Sequence, residues 1–491
     1  MKGLTDTEFK QLYFKRDEKG LEKLVDNFQT RAVKLLPFTL NPLSGNLYDN
    51  TCGLLGVASE FYRLYTQSSV KPIESVDDTI AVLRIELKYQ FKMADEDIDR
   101  FIDVFTDILF ENNKLNVIDP EFFAFAPMSF FDKDSKDVKK YAKYRSGQPK
   151  IANYYLSMTD PGENVFGNAP RDLFSQTVID CLRKEDGISI PTPDDKYLIL
   201  PFIKASFAKD IKWLVNQNNS VVVKYLPLFL HFYACYSLIQ TLAFMNKNNW
   251  NTPITKPLPI YYMLTSEKVT ASADGVRKGW SASNLLADTF LDKMSSYAQA
   301  LDILNLLFED NEGLMTYQEI KDRFSSMEWD DEAKAFCEYI LNEYQTRKRT
   351  LLEDRGTETN ALPLALDIDV NSYEEFMDTL LELCIKLQSK DYPRMKHAMY
   401  CMADIRLLMR RREHKVLAFD EELLLFLIAM VTKGERVRLD ELYRRFEAYG
   451  ILFSFQTKNA ISEYLLNLNL LERKSDSGEA HYVRIVLEFL D

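Results

Sequence analysis

Residues 419–487 read FDEELLLFLIAMVTKGERVRLDELYRRFEAYGILFSFQTKNAISEYLLNLNLLERKSDSGEAHYVRIVL, and this pattern decides the fold. Asp420 stands just before an apolar line at helical spacing, Leu423, Leu424, Leu427, Ile428 and Val431. An Asp in that place accepts hydrogen bonds from the free N–H groups of a first helical turn. Gly434 ends this helix. A second helix is expected over Leu439–Ala448, with Leu439, Leu442, Tyr443 and Phe446 on one face, and Gly450 breaks it. The spacing predicts a third helix from about Phe455 to Leu468, burying Ile461, Tyr464, Leu465 and Leu468. Two short β-runs follow, Leu470–Lys474 and Ala480–Val486, joined by the turn Ser475–Gly478, which reads as a hairpin. Three helices and a hairpin make the winged helix-turn-helix pattern.

That shape alone does not establish DNA binding, because a fold is not a function. Residues 419–491 hold nine Lys and Arg against thirteen Asp and Glu, a net charge of −4. A nucleic-acid domain usually carries a basic footprint. A DNA reading therefore rests on local charge. Gln456, Lys458 and Asn459 open the third helix, where a recognition helix meets bases and phosphates. Arg473, Lys474 and Arg484 lie on the hairpin. The other reading makes them solvated residues on a winged helix that docks protein.

The charge of the rest of the chain narrows the classes. The 491 residues carry a net charge of −13, so the chain does not coat nucleic acid non-specifically. Two clusters run against the average. Arg406, Arg410, Arg411, Arg412 and Lys415 precede the winged helix, within a stretch (394–418) of seven basic and two acidic residues. Arg347, Lys348 and Arg349 form a smaller one. These are the better electrostatic candidates for DNA contact, and a solvated face or an interface with an acidic partner is the alternative.

Hydrophobic residues make up 46% of the chain, with only 16 Gly and 17 Pro, which argues against long disordered segments and for a large core, and the apolar spacing along the chain is mostly helical, so a mainly α protein is expected. The expected organisation is an N-terminal helical domain (1–145), a central helical domain (146–370), connecting helices (371–418) and the winged helix (419–491). Val221–Phe244 is long enough to span a bilayer, but Lys224, His231 and Gln240 interrupt it, so it reads as a buried central helix. Helices are also expected at 54–65, 76–91, 95–112, 172–183 and 371–390, with another over Pro393–His414. Thr252–Thr265 reads as a Pro-rich connection, Tyr197–Asn216 as mixed, and 355–370 as a polar linker. A second helix-turn-helix unit is a possibility over 298–346, since Glu319–Phe324 echoes Glu441–Phe446.

Catalytic signals are sparse. The Walker phosphate loop, the dinucleotide glycine motif, the zinc-protease motif and the nucleophile elbow do not occur, and Gly275–Ser281 resembles a phosphate loop only loosely. The four histidines (His231, His397, His414, His481) are far apart, and no two of the six cysteines are closer than 17 residues. Neither a metal site nor a redox motif is expected. Asp78 with Glu86 and Lys88 can be drawn as a metal-dependent nuclease triplet, but on a helix rather than the strands such sites use. The N-terminus shows no apolar signal core, so the cytoplasm is the expected location.

Three stretches carry a family resemblance: Leu36–Thr39 with Ser44–Asn46, the aromatic helix around Tyr225–Phe244, and Asn469–Val483. In these the sequence resembles the DptG (DndG) family of DNA phosphorothioation-dependent restriction proteins. The resemblance leaves about 246–370 without a matching motif and transfers no catalytic residue. It implies a subunit of a bacterial antiphage defence complex that spares DNA with sulfur in its backbone. It further implies two ATP-hydrolysing partners, DptF-like and DptH-like. A chain without nucleotide or metal motifs fits a non-catalytic bridging subunit that assembles the ATPases on unmodified double-stranded DNA. A direct DNA-binding subunit or a transcription-type regulator is the alternative.

Overall fold

The structure, a computed structural model, describes residues 14–16, 22–24, 53–66, 76–111, 114–126, 148–159, 173–182, 200–247, 255–279, most of 296–308, 315–354, 363–387, 408–411, 414–473 and 481–486, with a few isolated positions. The chain begins with β1 (Phe14–Arg16), β2 (Glu22–Leu24), α1 (Gly53–Thr66), α2 (Val76–Tyr89) and α3 (Asp95–Leu109). Next come β3 (Phe110–Glu111), β4 (Lys114–Leu115), α4 (Gln148–Leu156), α5 (Leu173–Leu182), α6 (Pro201–Val215), α7 (Asn219–Lys247), β5 (Ile260–Leu264) and the short α8 (Asp274–Arg277). Then follow α9 (Tyr317–Ser325), α10 (Asp331–Asp354), α11 (Tyr373–Lys386), β6 (Leu408–Arg411) and β7 (His414–Phe419). The C-terminal part is α12 (Glu421–Thr432), β8 (Val437–Arg438), α13 (Leu439–Ala448), β9 (Ile451–Phe453), α14 (Phe455–Asn467), β10 (Leu471–Arg473) and β11 (His481–Val483). The protein is mainly α.

The chain divides into two compact units, one of residues 1–36, 195–198 and 286–393 and the other of 37–194, 199–285 and 394–491. This division does not fall at the boundaries expected at 145, 370 and 418. The central stretch 146–370 contributes to both units.

In the smaller unit α9 starts with a capping box, in which Thr316 and Glu319 each accept from the other's backbone N–H. Phe324 stacks on Tyr373 of α11 at 4.5 Å, and Ser296 donates to the Cys384 carbonyl. The segment 363–371 lies along α10. The Gln345 amide donates to the Leu366 carbonyl (3.0 Å) and accepts from its N–H (2.7 Å), and Lys334 meets Asp369 at 2.6 Å. Asn305 grips Met315 in the same way. In the possible second helix-turn-helix unit, α10 runs 24 residues and no described strand follows it in 363–387.

The larger unit is built around α7. This helix is apolar all round because it is covered all round. It is the one described helix long and apolar enough to cross a membrane, and 83% of its most apolar window is buried inside the protein. Around it α1, α4 and α6 contribute a cluster of rings. Phe207 meets Tyr233 edge-on at 4.9 Å and stacks on Tyr155, whose hydroxyl donates to the Leu230 carbonyl at 2.6 Å. His231 is fully buried, with its Nε2 3.6 Å from Cys235 Sγ, one turn along α7. Tyr197–Asn216, expected as mixed, contains α6.

Two expectations are corrected by a four-stranded sheet in the order β6-β7-β5-β9. Pro393–His414 does not continue as a helix to its end: 408–411 is β6, antiparallel to β7. Leu, Met and Arg favour helix locally, but Val416–Phe419 is buried on both faces and lies between two partner strands. The end of the Pro-rich connection is likewise β5, parallel to both β7 and β9. Gln240, the polar break in α7, explains how that connection is fixed: its amide donates to the Leu258 carbonyl (3.0 Å) and accepts from the Leu258 N–H (2.8 Å).

Candidate nucleic-acid interface

The C-terminal helices begin where their caps require. Asp420 accepts from the Leu423 N–H at 2.8 Å, and α12 ends with Lys433 in the left-handed region (φ +57°) followed by Gly434 (φ +74°). Ser454 accepts from the Thr457 N–H at 3.0 Å and starts α14. Ile461 and Leu465 of α14 are fully buried, whereas Tyr464 and Leu468 are only half-buried. A three-stranded antiparallel sheet in the order β10-β11-β8 closes the module, with Leu471 opposite Val483 and Val437 opposite Val483 on the other side.

This module is woven into the unit that holds it. β9 lies between α13 and α14 and pairs with β5 from Ile260 to Tyr262. Gly450, at φ +70°, turns the chain into β9 and packs against Leu258 and Gln240. A second attachment centres on Asp210 of α6, which is fully buried. It accepts from Tyr233 Oη at 2.5 Å and Tyr449 Oη at 2.7 Å, and it pairs with Lys433 Nζ. Burial depresses the Lys433 ammonium pKa despite this partner, and burial drives both phenols well above their ordinary value. Lys433 also lies over the Trp213 ring at 5.4 Å.

The residues expected to touch DNA fall in three places. Gln456 and Asn459 are exposed on the first turns of α14. Lys458 is half-buried, 3.8 Å from Glu447 and over the Tyr443 ring at 4.8 Å. Between them Thr457 is fully buried, and its hydroxyl donates to Glu267 at 3.1 Å. Burial raises the Glu267 pKa, and its other oxygen accepts from the Leu264 N–H at 2.7 Å. A carboxylate thus occupies the side of a helix N-terminus that would otherwise favour a phosphate.

On the hairpin, Arg484 pairs with Glu472 at 2.7 Å, and Arg436 reaches the same carboxylate at 2.7 Å while covering the Tyr482 ring. These two guanidinium groups hold the Glu472 carboxyl below the ordinary range. Arg473 lies on β10; Lys474 falls outside the described residues. In the basic cluster, Arg410 and Arg411 are on β6 and Lys415 on β7, in register as Arg410 opposite Lys415 and Arg411 opposite His414. Arg406 and Arg412 lie outside the described residues.

Three more of the module's described cations are also paired. Arg438 and Arg444 share Asp440 (2.9 and 2.8 Å), and Arg445 bridges Glu435 (2.9 Å) and Glu441 (3.3 Å) while donating to the Thr432 carbonyl. Phe455, which the sequence reading passed over, is 79% exposed at the first position of α14. It stands beside exposed Gln456 and a turn from exposed Asn459, so the outer side of α14 offers an aromatic ring and two amides rather than free positive charge.

The nuclease triplet does not converge. Asp78 and Glu86 are eight positions apart on α2, about 12 Å along the axis, too far to share one ion. Lys88 pairs with Asp95 at 2.8 Å, and that contact raises its pKa. Among the described residues no group of His, Cys, Asp and Glu has the arrangement of a metal site. Gly275–Arg277 lies in α8 behind β5 and packs on Met263, not around an open phosphate cradle. Compared with family models and with curated proteins, the sequence matches none.

Proposed function

We propose that this chain is a non-catalytic bridging subunit whose residues 419–491 form a winged helix that docks protein. The helix–strand–helix–strand–helix–hairpin order and the strand order β10-β11-β8 support the winged helix, with β9 as an addition to it. One observation carries the docking reading. Lys433, Arg436, Arg438, Arg444, Arg445, Lys458 and Arg484 each have a carboxylate within 4.0 Å. Charges neutralised in this way release few counterions from DNA, so they add little to phosphate affinity. Aromatic rings such as the exposed Phe455 are enriched at protein interfaces.

With the resemblance to DptG proteins, this reading becomes a subunit of a phosphorothioate-dependent restriction complex. It joins DptF-like and DptH-like ATPases and brings them to unmodified DNA. The test is co-purification of the full chain with those two subunits, wild type against Phe455→Ser/Asn459→Glu. Both side chains are exposed, so the variant keeps its fold. Loss of one ATPase supports docking; an unchanged complex refutes it.

A second reading keeps direct DNA contact but moves it to the β6–β7 hairpin. The observation that favours it is the register that sets Arg410 opposite Lys415 next to Arg411, a like-charge pair that an anion would relieve.

A further inference from the structure

α3 lies far in sequence from the C-terminal module. This helix satisfies the core with Ile98, Ile102, Phe105 and Leu109. It carries another apolar line, Phe101, Val104 and Ile108, at the i, i+3, i+7 spacing of one helix stripe, of which Val104 and Ile108 are left exposed. Val104 is 48% and Ile108 42% exposed. Phe101 rests 5.5 Å from Phe174 of α5, and Leu173, at the start of α5, is 84% exposed.

Beside the apolar line runs an acidic one. Glu96, Asp103 and Asp107 are exposed on the adjoining stripe. Between Val76 and Glu111 there are ten acidic and four basic residues. Asp95 and Asp99 are engaged by Lys88 and Arg84 of α2, and Asp97 lies 4.0 Å from Arg100. No described Lys or Arg reaches Asp103 or Asp107 within 4.0 Å.

We propose that this side of α3 docks a cationic amphipathic helix of a partner protein. Two parallel stripes on one helix, one apolar and one acidic, are matched by a helix with an apolar i, i+3, i+4, i+7 line and Lys or Arg beside it. The charge excludes nucleic acid and anionic lipid, which the aspartates repel. It also disfavours a second copy of the chain, which would set the acidic stripe against itself. The proposal goes beyond the bridging reading and stands without it.

The experiment uses the full chain and a fluorescein-labelled helical peptide with Leu on one stripe and Lys on the other positions. A counterpart with Glu for Lys is the control, and anisotropy is read at low and high salt. The Lys peptide binds and the Glu peptide does not. Val104→Ser/Ile108→Ser weakens binding by about tenfold, the scale of two half-buried aliphatic side chains. Asp103→Asn/Asp107→Asn lowers affinity several-fold and flattens its salt dependence. Hydrogen exchange shows protection over 100–109. Unchanged affinity in both variants, protection elsewhere, or equal binding of the Glu peptide overturns the proposal. So does a Val104- and Ile108-dependent dimer in sedimentation, which assigns the face to a second copy.

Discussion

Gly450→Ala tests how the C-terminal module is locked to the sheet that holds it. Gly450 sits at φ +70°, where a residue with a Cβ loses about 1 kcal/mol. The added methyl would lie 2.4 Å from the Leu258 carbonyl oxygen and 3.1 Å from Gln240 Nε2. The oxygen must retreat by most of an ångström. Its movement strains the two bonds between Gln240 and Leu258, and the neighbouring Ile260 N–H to Gly450 carbonyl bond (2.8 Å) with them. Each such bond contributes about 1 kcal/mol net. The stiffer unfolded chain returns about 0.5–1 kcal/mol. The expected cost is about 2–3 kcal/mol, read as a lower urea midpoint at an unchanged slope. Gln240→Ala removes the same clamp, so the two changes together cost less than their sum. A cost below about 1 kcal/mol for Gly450→Ala, or strict additivity with Gln240→Ala, refutes the reasoning.

Three further predictions concern charge. Asp210→Asn leaves the Lys433 ammonium without its counter-charge in a mostly buried site and lowers stability by about 3 kcal/mol, and adding Lys433→Met recovers part of it in urea unfolding. Tyr233, Tyr236, Tyr262, Tyr297 and Tyr449 all have phenol pKa values raised by burial. Their folded values lie above the unfolded one, so this contribution to stability is intact below about pH 10 and is lost as the pH rises beyond it. Tyrosinate absorbance therefore rises together with loss of ellipticity, and full ionisation with the fold intact contradicts the burial. On the second reading of DNA contact, Arg410→Ala/Arg411→Ala/Arg412→Ala weakens DNA binding by the chain and flattens its salt slope; if both stay put, the hairpin is no phosphate site.

The C-terminal helices were legible because their signals are local. Asp420, Gly434 and Gly450 punctuate the chain next to the residues they act on, and Leu439–Ala448 forms the helix its periodicity predicts. β5, β7 and β9 were not legible. Ile260–Leu264 and Ile451–Phe453 are short apolar runs, ambiguous in isolation, and they become strands only by parallel pairing across about 190 residues of chain. Gln240 read as a polar break in an apolar helix, since its partner Leu258 is defined by the fold. At the candidate interface, composition gave the net charge of 419–491 but not its pairing. That Asp440 takes two arginines and Glu472 two more depends on side chains brought together in space. The exposure of Phe455 was hidden for the opposite reason: an apolar residue at a helix start is ordinarily read as core.

On the docking proposal, α14 presents a protein-docking face on an intact chain. Truncation at 419 is a poor test, because it would remove β9 from its sheet and Lys433 and Tyr449 from Asp210. The direct measurement is the Phe455→Ser/Asn459→Glu chain co-purified with the proposed DptF-like and DptH-like partners, followed by DNA titration of each product. Docking through α14 predicts that one of the proposed partners is lost while the DNA affinity of the chain itself is unchanged. A complex that stays whole while DNA affinity falls contradicts it and makes α14 the DNA reader.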